Sequence, residues 1–278
     1  MRVVTLKRLL VLVFVLCGIA AYVVKQVNQE PVVDIVLPLP QEYEEVKTTL
    51  NEPADSEAIA HTRTQTQETA SSVLPPRTSQ IKPDINLGVP FQPQAPHANW
   101  DLPYQEACEE ASLAMADAYF NNLPLSADQM DERILSLVAW EKKTFGYYED
   151  THAEEIARMA RSFFSMKAVT ETDTSAEAIR RHLSNGSLVV LPVAGRLLGN
   201  PHFSGEGPLY HVLVVRGYVG DYFITNDPGT RHGEGYLYPA DLLLNAIHDW
   251  PEGAGHTKDG VTEEMMESGQ KIMIVLDR

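Results

Sequence analysis

The alternation of apolar and polar residues changes rhythm twice along the chain. Residues 9–24 form an uncharged apolar run, and from 26 to about 85 Pro, Thr, Ser, Glu and Gln dominate with no sustained period. From residue 86 a helical rhythm sets in. Ala107, Ala111, Leu113, Ala114, Met115, Ala118 and Tyr119 share one face of a helix over 106–119, with Glu109, Glu110 and Asp117 off that face. Asn121, Asn122 and Pro124 end it. Further helices are predicted over 128–141, 153–164 and 176–183, the last with Ser175 as N-cap and Asn185-Gly186 as terminator. The texture then changes. β-Branched runs at 187–193 and 210–218, a Gly220-Asp221 turn into 222–225, and extended stretches at 236–238 and 271–276 predict antiparallel strands, with a short helix over 240–247. Helices first and hairpin-linked strands later indicate an α+β domain over 86–278, with no internal repeat.

The region ahead of that domain cannot join its core. Stretches such as 62–69 and 74–78 hold too little apolar surface to offset chain entropy, so 26–85 is expected to be a disordered stalk. Before it, Arg2, Lys7 and Arg8 precede the apolar run and Lys25 closes it, the pattern of an export segment. Sixteen residues make roughly 24 Å of helix against a hydrocarbon core of about 30 Å. Val3, Val4 and Leu6 lengthen the stretch if the basic side chains snorkel to the interface. Residues 1–25 are therefore expected to be a transmembrane anchor helix, its basic end cytoplasmic and the domain extracytoplasmic. Gly18 and Ala20 offer an alternative, cleavage by signal peptidase and a secreted domain.

Charge and cysteine count narrow the function classes. A formal net charge of -16 repels phosphate backbones, and no basic stripe with interleaved aromatics overrides it, so no nucleic-acid partner is expected. Of the two cysteines, Cys17 lies in the apolar run, which leaves Cys108 as the one thiol of the domain. An unpaired thiol in an oxidising compartment must be buried or used. No Cys-x-x-Cys, His-Glu-x-x-His or calcium-loop spacing occurs, and Gly195, Gly199 and Gly205 do not follow a phosphate loop, so no metal or cofactor is expected.

Cys108 stands where a loop containing Pro103 turns into the first strong helix. Free N–H groups and the positive end of the helix dipole favour a thiolate there, and the same N–H groups can hold an oxyanion. Glu109 and Glu110 oppose it by charge, so a strong cation is needed nearby. Among nine histidines, His211 opens an apolar strand, where a polar ring needs a partner. Asp227, in Asn226-Asp227-Pro228-Gly229, ends the strand expected to pair with it. Neighbouring strands lie about 4.8 Å apart, so the two side chains can meet, and the carboxylate can fix the tautomer and support the charge of the imidazole. Cys108, His211 and Asp227 would then form one nucleophile–base–orienter row. His202 is a further candidate on the substrate side.

These segments resemble a known family. Val89-Pro90-Phe91, Gln94-Ala95-Pro96, Trp100 and Pro103-Tyr104-Gln105-Glu106-Ala107-Cys108-Glu109-Glu110-Ala111-Ser112 are similar to the opening of the cysteine peptidase family 39-like proteins. These are papain-fold relatives of the peptidases that process double-glycine bacteriocin leaders. Gly207-Pro208-Leu209-Tyr210-His211 and Asn226-Asp227-Pro228-Gly229-Thr230 resemble the family's histidine and aspartate blocks, in the same order. The resemblance, over about 87–250, implies a papain-like fold with Cys108 as nucleophile, His211 as base and acid, and Asp227 as orienting group. It implies an oxyanion glutamine as well, mapped to Gln94, with Gln105 and Gln92 as rivals because Leu102 stands six residues before the cysteine. Glu109 departs from the glycine that many relatives carry after the cysteine, and no export ATPase domain is expected beside this one.

Two readings follow. One is a membrane-tethered peptidase or amide hydrolase acting on peptide or cell-wall substrates, with transfer to an acceptor other than water open to the same residues. The other is an inactive papain-like module that binds peptide or cell-wall fragments. The acidity of the Cys108 thiol separates them: a raised pKa favours the binder and a depressed one the enzyme.

Overall fold

The computed structural model describes residues 81–278. The expected anchor (1–25) and all of the expected stalk up to residue 80 lie outside the described residues. Among the described residues no helix is long and apolar enough to cross a membrane.

The chain opens with β1 (Asp84–Asn86) and continues through α1 (Cys108–Phe120), α2 (Ala127–Thr144), α3 (Ala153–Ser162), β2 (Lys167–Glu171), α4 (Ala176–Ser184), β3 (Leu188–Ala194), β4 (Tyr210–Val219), β5 (Tyr222–Asn226), β6 (Tyr236–Pro239), α5 (Ala240–Ala246), α6 (Glu263–Glu267) and β7 (Met273–Asp277). The strands form one antiparallel sheet in the order β2-β7-β3-β4-β5-β6, with β1 paired to β4. This is the expected mixture of helices and antiparallel sheet. The strand at Asp84–Asn86 lies just ahead of the expected domain start, because Lys82 is already tied down: its N–H donates to Ser184 Oγ and its carbonyl accepts from Tyr218 Oη.

Strand periodicity sets the layers. Leu188, Val190, Val212, Val214, Ile274 and Leu276 pack with α1, α2 and α3, while Val189, Leu191, Val193, Leu213, Val215 and Val275 pack with Ala178, Ile179 and Leu183 of α4 and Leu243 of α5. Both faces of β3 are therefore buried, which is why it reads as a continuous apolar run rather than an alternating one. α2 is fixed at its start by a capping box between Ser126 and Gln129.

One expectation is overturned in α1. Glu109 and Glu110, expected off the apolar face, are each only 1% exposed. The helix is central: β4 packs on one side of it and α2 on another, so its first turn has no solvent face.

Candidate active site

A cleft of about 680 Å³ is lined by Gln94, Trp100, Cys108, Phe203, His211 and Gly229, among others. Three of the stretches of chain that converge on it carry the expected catalytic groups. The first turn of α1 supplies Cys108, the first residues of β4 supply His211, and the loop after β5 supplies Gly229 and holds Asp227. The β4–β5 pairing, with Val214 opposite Asn226, brings the start of one strand beside the end of the other.

The imidazole and carboxylate meet as their strand positions require. His211 Nε2 lies 2.8 Å from Asp227 Oδ1, and both residues are buried. Oδ1 also accepts the Gly229 N–H at 3.0 Å, and Oδ2 accepts Tyr238 Oη at 2.6 Å and Asn200 Nδ2 at 3.2 Å. Burial alone would raise the Asp227 carboxyl, but the charge and hydrogen bond of His211, with the Tyr238 and Gly229 donors, outweigh it and hold it below its ordinary value. Phe203 stands edge-on to the ring at 5.5 Å, and a Cβ on Gly229 would come within 2.9 Å of it, so only glycine leaves the imidazole its place. Asn200 and Tyr238 escaped the sequence reading. A single buried Tyr or Asn in a strand or loop carries no pattern until pairing shows what it faces.

Cys108 departs from the expected row. Its thiol lines the same cleft as His211 but donates to Glu109 Oε2 at 3.0 Å. Nor is the thiol acidified. Burial, then the charge and hydrogen bond of Glu109 and the charge of Glu110, push it well above its ordinary range, opposed by a hydrogen bond from the Val212 backbone. The expected helix-end activation is thus overridden by two carboxyls that α1 buries in its own first turn.

The glutamines separate cleanly. Gln92 Nε2 donates to the Leu125 carbonyl, and the residue does not line the cleft. Gln94 and Gln105 both line it. Gln94 is 3% exposed, its N–H donates to the Pro228 carbonyl at 3.0 Å, and Nε2 donates to the Tyr104 carbonyl at 2.9 Å. That contact fixes the amide's orientation, because the flipped form would set oxygen against oxygen, and Nε2 keeps a second N–H to offer. His202 lines the cleft rim, stacked on His232 with ring centroids 4.5 Å apart.

Beneath the cysteine lies an acidic cluster. Among the described residues no donor reaches the carboxyl oxygens of Glu110 or Glu141, so the two satisfy each other only by sharing protons. Burial and the neighbouring Glu110 charge push Glu141 up to about 12, and burial with the Glu109 charge raises Asp150 to about 8. A carboxyl with a raised folded-state pKa contributes stability that is fully present below its unfolded value and is lost progressively as pH rises from there toward the folded value. Each retained proton is worth up to about 1.4 kcal/mol per pH unit. Glu141→Gln is therefore expected to raise the melting temperature at pH 8 and to change it much less at pH 5. Thermal denaturation of both proteins at the two pH values checks this.

Among the described residues one grouping could hold a metal by spacing alone: ligand atoms of His152, Glu155 and His256 lie within 4.8 Å of one another. They already have protein partners. Glu155 accepts the Tyr147 hydroxyl and the His152 N–H, and His256 stacks on Tyr147 and has Nδ1 3.3 Å from the Asp150 carbonyl.

Comparison with known proteins adds the following. Residues 86–252 match the Peptidase_C39 like family. Among solved structures, the chain is similar to a C39-like peptidase from Bacillus anthracis, at 18% identity over 70% of this chain and 98% of that one, with a TM-score of 0.45. No curated protein matches the chain.

Proposed function

The chain belongs to the Peptidase_C39 like family, and from that premise we propose that it is a cysteine peptidase of papain-like fold, working through Cys108, His211 and Asp227. The observation that carries the reading is the buried His211–Asp227 pair, 2.8 Å apart, on the same cleft as the one thiol of residues 81–278. Thiolate sulfur attacks the scissile carbonyl. The Cys108 N–H and Gln94 Nε2 hold the oxyanion, and His211, oriented by Asp227, protonates the leaving amine. Water, with His211 as general base, then releases the acyl group. For this the Cys108 side chain turns from Glu109 toward the imidazole.

The placement of the domain follows from Arg2, Lys7 and Arg8 ahead of the apolar run: a single-pass anchor with the catalytic domain outside the cytoplasm. Peptides or cell-wall fragments are the substrate classes that such a location presents. A second reading has its own observation. The raised thiol, hydrogen-bonded to a carboxyl, favours an inactive module that holds such fragments in the cleft.

Libraries of peptides and cell-wall fragments incubated with the full chain and with His211→Ala separate the two. Turnover by the wild type that the variant loses is the expected result. Binding by both with turnover by neither would leave the module.

A further inference from the structure

Glu109 is an unusual neighbour for a nucleophile. Its Oε2 accepts the Cys108 thiol at 3.0 Å, while Oε1 is held by the Thr151 N–H at 3.1 Å and the Thr151 hydroxyl at 3.2 Å. Thr151 is itself fully buried, and its carbonyl accepts the Tyr210 hydroxyl at 2.8 Å. Among the described residues no Lys, Arg or His forms an ion pair with Glu109, and the nearby Lys258 is paired with Glu106. Two donors thus hold one oxygen of a buried carboxyl and leave the other, without a cation, on the sulfur.

We propose that Glu109 is a catalytic residue that accepts the Cys108 thiol proton, leaving His211 free to act only on the leaving group and on water. This rests on the peptidase reading above. The S–H bond breaks, its electron pair stays on sulfur, and the proton bonds to Oε2. The pair carries one negative charge before and after, so the transfer adds no charge to an apolar pocket, whereas losing the proton to solvent would put two negative charges side by side there. The protonated carboxyl can then donate back to the thiolate. Burial raises the Glu109 carboxyl and so makes it a better acceptor, although its bonds to Cys108, its own N–H and Thr151 pull the other way. The titratable groups facing the pair are Glu110 of α1, Glu141 of α2, Asp150 before Thr151, Tyr210 and His211 of β4, and Glu106 with Lys258. None of them touches the sulfur by a hydrogen bond as Glu109 does. His211 can then start the cycle as imidazolium, give its proton to the amine and recover it from water, while Glu109 keeps the thiol proton throughout.

The test is the rate at which iodoacetamide alkylates Cys108 between pH 5 and pH 9, in the full chain carrying Cys17→Ser. Glu109→Gln keeps the shape and an oxygen for Thr151 but cannot take the proton. It is expected to slow alkylation at least about tenfold at pH 6 and to approach the wild-type rate near pH 9 as hydroxide takes over. Glu109→Asp keeps the charge but withdraws the carboxyl by one methylene, and it should slow alkylation at pH 6 as well. A carboxyl that only repels the thiolate predicts the reverse for Gln, a faster reaction at pH 6, and no slowing for Asp. Either of those results overturns the proposal. Alkylation needs no substrate, so a chain that follows the expected pattern yet hydrolyses nothing would refute the peptidase reading while leaving the proton transfer standing.

Discussion

Cys108→Ala is expected to remove hydrolysis to the background, a loss in kcat/KM of at least about 10⁴-fold, with the domain still folded. The sulfur is the one exportable nucleophile of its kind between residues 81 and 278, so no second thiol can cover for it. The fold does not depend on it to the same degree. Cys108 packs in the α1 core at 6% exposure, and alanine removes only its sulfur. Glu109 then keeps both Thr151 donors and loses a weak one, a change of about 1 kcal/mol or less, or a few degrees in melting temperature. Initial rates on a substrate found by library screening, paired with a melting curve, check both halves. Wild-type turnover in the variant would mean that the chemistry lies elsewhere. An unfolded variant would mean that the thiol is a packing element.

The sequence carried most of the architecture because the apolar patterns are strong where the elements are long. The helical repeat of residues 107–119 and the continuous apolar run of β4 each reflect packing inside the core, and the turn at Gly220-Asp221 joins β4 to β5 as expected. The pairing of His211 with Asp227 was legible for the same reason: strand start and strand end become neighbours once a hairpin is granted. The setting of Cys108 was not. Charged residues in a helix's first turn usually face water, and only the packing of α1 between sheet and α2 reveals that Glu109 and Glu110 are buried.

Asp227→Ala is expected to be damaging in two separable ways. The carboxylate takes four donors: His211 Nε2, Gly229 N–H, Tyr238 Oη and Asn200 Nδ2. Deleting it leaves all four buried without that acceptor, which costs about 3–5 kcal/mol and lowers the melting temperature by roughly 10 °C. Catalysis suffers independently, because nothing then fixes the imidazole's tautomer or supports its charge, and kcat/KM is expected to fall about 10³- to 10⁴-fold in the protein that remains folded. Asp227→Asn divides the effects. Its oxygen can keep His211 and Gly229, but its amide meets the Asn200 amide donor to donor, so stability falls less than for alanine while the charge on the imidazole loses its counterion. pH tells the carboxylate's contribution from mere packing. The Asp227 carboxyl is held below its ordinary value in the fold, so its stabilisation is complete above the unfolded pKa, about 4, and is lost as pH falls through the lower folded one. The stability gap between wild type and Asp227→Asn should therefore be constant from pH 5 to 8 and shrink below about pH 4. A gap that does not change with acid would mean that the site reads the shape of the side chain and not its charge, and the imidazole would have to be supported by something other than this carboxylate.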